Sequence, residues 1–212
     1  MSSNLPVYDM TIGEFLKVAG SNSHVPGGGN VSAVVATLGA SMGAMVASLT
    51  KGKKGYEDFQ AENDVILKAF LDGIEELKAQ TLGDIQAFDE YMEVFRLPKD
   101  TPEQKEARTK AIQAAGQKAT LAPLNVCRTC LKLLKVAAQL APKGNKGAIS
   151  DCGVAAIVLE AAIRAAMLSV DINLPTLTDA TFVQNVKNER AALFVEAEEL
   201  KIDILHHMRA RW

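Results

Sequence analysis

The chain has 212 residues, enough to bury a substantial core as one domain over 1–212, and its 23 basic and 25 acidic side chains leave a formal net charge of −2. That balance provides no whole-molecule field to draw in nucleic acid or an anionic membrane, so any anion site has to be local. The opening MSSNLPVYDM lacks a basic region followed by an apolar core, and no stretch approaches ~18 uninterrupted apolar residues, so a cytoplasmic protein with no membrane partner is expected.

Alanine, leucine, glutamate and lysine dominate, and no sustained apolar/polar alternation marks half-buried strands. The fold class is therefore all-α, an antiparallel bundle of long helices joined by short connections. Thr11, with Glu14 three residues on, predicts a capping box and a first helix reaching about Ala19. Residues 20–29 then form a loop ending in Gly27, Gly28 and Gly29. From Asn30 to Thr50 a helix carries Ala33, Ala36, Gly39, Ala40, Gly43, Ala44 and Ala47 at three- and four-residue steps. Glycine inside a helix costs up to ~1 kcal/mol against alanine, so these positions imply close approach of another backbone. A membrane helix shows similar small-residue spacing, but Asn30, Ser32, Thr37, Ser41, Ser48 and the lysine-rich exit argue against one.

The stretch 56–95 carries a helical apolar stripe that includes Phe59, Ile66, Phe70, Leu77 and Phe88. At ~1.5 Å per residue it would span ~60 Å, so a bend at Gly73 or Gly83 is expected. LPKDTP breaks the chain, and Thr101, Pro102 and Glu103 suit a new helix start. That helix reaches Leu140 with Pro123 inside it, where the missing N–H and the ring clash predict a kink. Residues 141–151 form a second glycine-rich loop, with Ser150 or Asp151 placed to cap a helix over 152–170. NLPT at 173–176 is a third break, and Thr178 or Asp179 starts the last helix.

Little chemistry follows from the residues alone. The three cysteines, Cys127 and Cys130 in CRTC plus Cys152, make no disulfide framework and no four-ligand zinc site, so buried thiols and no metal are expected. PGGG fits neither a P-loop nor a dinucleotide fingerprint; it is a plain turn or a place where backbone approaches a polar or anionic ligand. Lys53 and Lys54, followed by Tyr56, read either as a solvated helix C-terminus or as a cationic surface. Asp84 and Asp89 stand ~140° apart on a helix, so at least one is a surface charge. An aspartate near a cleft, such as Asp84 or Asp151, can bind a donor-rich ring or take a proton. His24, His206 and His207 form no constellation with a nucleophile.

The motifs in order are PGGG, LTKGKKGY, AFDEYM with LPKDTPEQKEAR, APLNVCRTC, KGNKGAISDCGVA, and VDIN with TDATF. In that order the chain resembles the cyclodeaminase/cyclohydrolase family. This is the family of the C-terminal domain of formiminotransferase-cyclodeaminase and of stand-alone bacterial methenyltetrahydrofolate cyclohydrolases. The resemblance implies an all-helical homodimer whose substrate is a tetrahydrofolate derivative, with no cofactor. It implies catalytic roles for Lys53, Asp84 and Asp151, and substrate-binding roles for Gly27, Gly28, Gly29, Lys54, Tyr56, Asn145, Ser150 and Asn173. Asp151 or Asp84 would stabilise the substrate cation and take the water proton, and Lys53 would handle the proton on the ring nitrogen. The glycine turn and Asn145 would hold the pterin, and Lys54 would meet the glutamate tail. Gly147 and Asp171 depart from the family's frequent asparagines. The expected reaction is hydrolysis of 5,10-methenyltetrahydrofolate to the 10-formyl compound. The alternatives are a formimidoyltetrahydrofolate cyclodeaminase releasing ammonia and a non-catalytic folate-binding or scaffold protein. On this reading the small-faced helix spaces two walls of one folate pocket.

Overall fold

The computed structural model describes residues 7–211, and every regular element among them is helical. A 3-10 turn at Val7–Asp9 leads into α1 (Ile12–Ala19), where Thr11 Oγ1 accepts from Glu14 N and Glu14 Oε2 accepts from Thr11 N. There follow α2 (Gly28–Thr50), α3 (Gln60–Val94), α4 (Pro102–Leu140), α5 (Ile149–Asn173) and α6 (Ala180–Arg209). Thr101 and Gln104 form a second reciprocal cap at the start of α4. Asp179 caps α6 by accepting from Phe182 N at 3.0 Å. Each of these caps satisfies backbone donors that a helix start leaves orphaned.

Two helix starts differ from the sequence expectation. α2 begins at Gly28 rather than Asn30, because the Asn30 side chain closes the turn by accepting from Gly27 N at 2.9 Å. α5 begins at Ile149, which puts Ser150 and Asp151 inside its first turn instead of at its cap. The capping work falls to Asn145, whose Oδ1 accepts from Gly147 N in the preceding 3-10 turn, Lys146–Ala148.

Helices α2, α3, α4 and α5 form a closed four-helix ring in which each packs antiparallel on the next. Gly29 lies opposite Ser169 and Gly39 opposite Leu159 across α2 and α5, while Gln80 bonds Thr129 across α3 and α4. The small face of α2 has the expected purpose: a Cβ on Gly43 would stand 2.3 Å from Phe70 Cζ, and one on Gly39 would stand 3.2 Å from Leu159 Cγ. α3 runs as one element past both Gly73 and Gly83, and Gly73 makes room for Leu133 of α4, 2.6 Å from where its Cβ would be. Phe70, Leu77, Leu124, Leu133, Leu159 and Ile163 fill the interior. The three cysteines are free and buried, and loss of solvation pushes the thiols of Cys127 and Cys152 up to about 12, which leaves them unreactive.

α6 covers the outer side of α4 and α5, tied by a two-pronged Arg128–Glu189 pair at 2.6 and 2.7 Å and by Arg164 and Lys201 around the buried Glu160. No described element covers the outer side of α2 and α5. Leu38 (61% exposed), Ile157 (49%), Leu168 (68%) and Ile172 (75%) stand there in solvent. By length and mean hydropathy, α2 and the stretch Lys146–Thr176 could each cross a bilayer, but 56% of the most apolar part of each is buried in the bundle.

Candidate functional site

The first turn of α2 meets the second half of α3, the middle of α4 and the end of α5 around a cleft of about 250 Å³. Its lining includes Gly27, Gly28, Gly29, Asp84, Phe88 and Asn173. Among the described residues, Asp84 is the only carboxylate that lines the cleft. Its Oδ2 accepts from Asn30 Nδ2 at 2.8 Å, while Oδ1 has no hydrogen-bond partner among the described residues. Burial raises its pKa from 3.8 to about 6, so the group changes charge close to neutral pH. Gly29 is required beneath it, since a Cβ there would lie 2.9 Å from Asp84 Oδ2. Asp89, five residues on, is exposed and lies in an open groove with Glu90 and Lys118.

The amide orientations in this cleft are settled by their partners. Gly27 N can only donate, so Asn30 presents Oδ1 to it and turns Nδ2 to Asp84. Ala119 O can only accept, so Asn173 points Nδ2 at it, at 3.1 Å. Ala119 is four residues before Pro123; α4 runs on there as one element, and the carbonyl that loses its donor to the proline is bonded by Asn173.

A second polar cluster sits beyond the other end of α2. The chain turns there through Gly52 and Gly55, at φ +66° and +88°. Lys53 Nζ donates to Asn145 Oδ1 at 2.8 Å, Asn145 Nδ2 donates to Leu49 O at 2.8 Å, and Asn145 N donates to Thr50 Oγ1. Tyr56 OH accepts from Lys146 N at 2.8 Å. Asn145 is 5% exposed, so its hydrogen bonds are well shielded from water. Lys51 and Lys143 are paired with Asp64 and Glu62, whereas Lys54 has no ion-pair partner among the described residues. Ser150 is exposed and Asp151 half-buried in the adjacent first turn of α5, where a negative charge suits the helix dipole.

The residues named from sequence therefore fall into two groups. Gly27, Gly28, Gly29, Asp84 and Asn173 share the cleft, and Lys53, Tyr56, Asn145, Ser150 and Asp151 belong to the far end, with Lys54 beside them in the chain. α2 has 23 residues, about 35 Å of helix, between them. One chain does not enclose both walls in one pocket. Of the two departures, Asp171 pairs with Arg190 of α6 at 3.0 Å, and Gly147 donates to Asn145. Sequence reading passed over Asn30, Ala119 and Ser169. The signal for Asn30 was present: an amide three residues after a glycine N-cap, which has no side chain with which to cap itself. Among the described residues, no group of three histidine, cysteine or acidic side chains is placed to hold a metal ion.

Residues 11–192 match the family model described as formiminotransferase-cyclodeaminase. The chain belongs to that family. It is 37% identical to a methenyltetrahydrofolate cyclohydrolase of Methylorubrum extorquens, over 95% of this chain and 97% of that one. It is 34% identical to the pig formimidoyltransferase-cyclodeaminase over 93% of its own length, and it spans 36% of that larger protein. The crystal structure of a formiminotetrahydrofolate cyclodeaminase from Thermotoga maritima superimposes with a TM-score of 0.86 at 27% identity, covering 96% of this chain and 98% of that one. Among these family members, the match across a whole chain of matching length is shared by the bacterial cyclohydrolase and the Thermotoga cyclodeaminase.

Proposed function

We propose that this protein is an enzyme of folate one-carbon metabolism that hydrolyses 5,10-methenyltetrahydrofolate to 10-formyltetrahydrofolate. The observation that carries the reading is Asp84, a desolvated carboxyl with one oxygen held by Asn30 and a pKa of about 6, in a cleft walled by glycine backbone. Likeness to the Methylorubrum cyclohydrolase along nearly the whole of both chains supports the choice of reaction.

The substrate is a cation with its charge spread over two nitrogens and the carbon between them. Ionised Asp84 attracts that cation and accepts a proton from the water that adds to the carbon. The tetrahedral adduct then opens by breaking the bond to the ring nitrogen, which takes a proton as the carbonyl forms. One water is consumed and one proton released, without a metal or resident cofactor. Lys53 and Asp151 are too far from Asp84 within one chain to act on the same carbon, because a helix of 23 residues separates them. The chain therefore acts as a homodimer through the uncovered α2–α5 side, with the two copies antiparallel. The Lys53–Asn145 end of one subunit then completes the Asp84 cleft of the other. Ile172 supports this arrangement, since it lines the cleft and stands 75% exposed on that uncovered side. The dimer works in the cytoplasm, with neither nucleic acid nor membrane as a partner.

The second reading, a cyclodeaminase, is favoured by the Thermotoga structure, whose length this chain covers to 98%. In that reaction N10 attacks the formimino carbon and ammonia leaves, which calls on the same carboxyl. Giving the purified protein each folate separates the two. Loss of the methenyl absorbance without ammonia from the formimino compound supports hydrolysis, and the opposite pattern overturns it. Absence of folate binding by calorimetry would leave the fold a scaffold.

A further inference from the structure

We infer that Pro123 is a positioning residue: by removing one helical N–H from α4 it frees the Ala119 carbonyl to fix the Asn173 amide, which faces the cleft as an acceptor for a ring bearing N–H donors. Proline inside a helix lacks the donor for the carbonyl four residues back and crowds it with its ring. In α4 that carbonyl is Ala119 O, and it accepts from Asn173 Nδ2 at 3.1 Å across 54 residues of sequence. Ala119, Pro123 and Asn173 all line the cleft. Since a carbonyl oxygen can only accept, it selects the Nδ2 side of the amide and leaves Oδ1 on the other. Asn173 Oδ1 has no hydrogen-bond partner among the described residues. An oriented acceptor opposite the Asp84 wall suits a flat heterocycle with adjacent N–H groups, the class to which the pterin head of a folate belongs. The choice of ligand rests on the proposed function, but the coupling of Pro123 to Asn173 does not.

The helix without proline would be the better helix, because Pro→Ala restores a backbone hydrogen bond in its interior. In Pro123→Ala that restored bond offsets the ring carbons lost at a buried position and the looser unfolded chain, so the variant should stay within about 1 kcal/mol of the parent while binding its ligand less well. Weaker binding in a protein of nearly unchanged stability is a result a merely structural proline would not give.

The test is a double-mutant cycle on Pro123→Ala and Asn173→Ala, read by KM for methenyltetrahydrofolate and by calorimetric binding of tetrahydrofolate. Each single variant should raise KM and Kd about tenfold, with kcat changed much less, and the double variant should be no worse than Asn173→Ala alone. Side-chain amide exchange of Asn173, followed by NMR in the ligand-free protein, should be slow in the parent and fast in Pro123→Ala. Unchanged exchange in that variant, or penalties that add in the double variant, would overturn the assignment. If the parent binds no folate the proposed function fails, and the exchange measurement still decides the role of Pro123.

Discussion

Asn30 donates from Nδ2 to Asp84 Oδ2 at 2.8 Å and, through its Oδ1, ties the same carboxylate to the backbone of the glycine turn at Gly27. Burial raises the Asp84 pKa to about 6, and an N–H donor works in the opposite sense by favouring the charged form. If the ionised carboxylate takes the water proton, kcat/KM should rise with pH through about 6 and then level off. Asn30→Ala removes the donor, so the rising limb should move to higher pH. A pH–rate profile of parent and variant checks this. An unmoved limb would separate Asn30 from the titrating group.

The same half-buried carboxyl has a consequence for stability. Its folded pKa lies above the ordinary value of 3.8, so between pH 3.8 and about 6 the folded state holds a proton that the unfolded state has released. Its contribution to stability thus falls as pH rises through that window, and the full penalty is present above about pH 6. Asp84→Asn keeps an acceptor for Asn30 and removes the charge. It should gain about 2 kcal/mol at pH 8 and almost nothing at pH 4, while losing at least ~100-fold in turnover. Urea titrations at the two pH values measure the first effect, and a gain of equal size at both would show that charge is not its source.

Glycine substitutions should sort by what stands where the new methyl goes. Gly28 has no heavy atom within 4 Å of a new Cβ, so Gly28→Ala should fold as stably as the parent, while its methyl enters the cleft and raises KM with kcat changed much less. At Gly29 the methyl meets Asp84 Oδ2 at 2.9 Å, so Gly29→Ala should displace the carboxylate and cut kcat about tenfold or more with a small loss of stability. At Gly43 it meets the Phe70 ring at 2.3 Å in the bundle interior, and Gly43→Ala should lose about 1–3 kcal/mol. Thermal melts and kinetics of the three variants check the ordering. A Gly29→Ala enzyme with parental kcat would remove the carboxylate from the mechanism.

Features that depend on near neighbours in the chain were legible in the sequence. The caps at Thr11, Thr101 and Asp179 each join residues three apart, and the small face of α2 announced the close helix contacts at Gly39 and Gly43. Helical phase alone told Asp84 and Asp89 apart, but which of them turns inward depends on where α2 begins, and that start is set by Asn30. Pro123 shows the limit most plainly. Local rules give the lost hydrogen bond at Ala119 O, but the donor that replaces it comes from Asn173 of another helix, 54 residues on. Motif order placed the glycine turn and the GKK and GN segments in one family of sites, and nothing in that order says that about 35 Å of α2 separates them in one chain.

That separation gives the sharpest test of the shared site. Lys53 is bonded to Asn145 at one end of α2, and Asp84 sits at the other, so a site needing both takes them from two subunits. A two-fold axis crossing α2 near its middle would give two equivalent sites, one at each end of the paired helices. Lys53→Met and Asp84→Asn homodimers should each be nearly inactive. After mild unfolding and refolding together in equal amounts, half of the dimers are hybrids, and in each hybrid one site carries both defects and the other carries neither. Activity should return to about a quarter of the parental value. Sites confined to single chains predict no recovery, since every chain in the mixture carries one defect. Leu38→Glu places a charge in the middle of the uncovered apolar side, where Leu38 is 61% exposed. It should shift the parent toward monomer in sedimentation and lower activity in parallel, and a fully active monomer would refute the shared site.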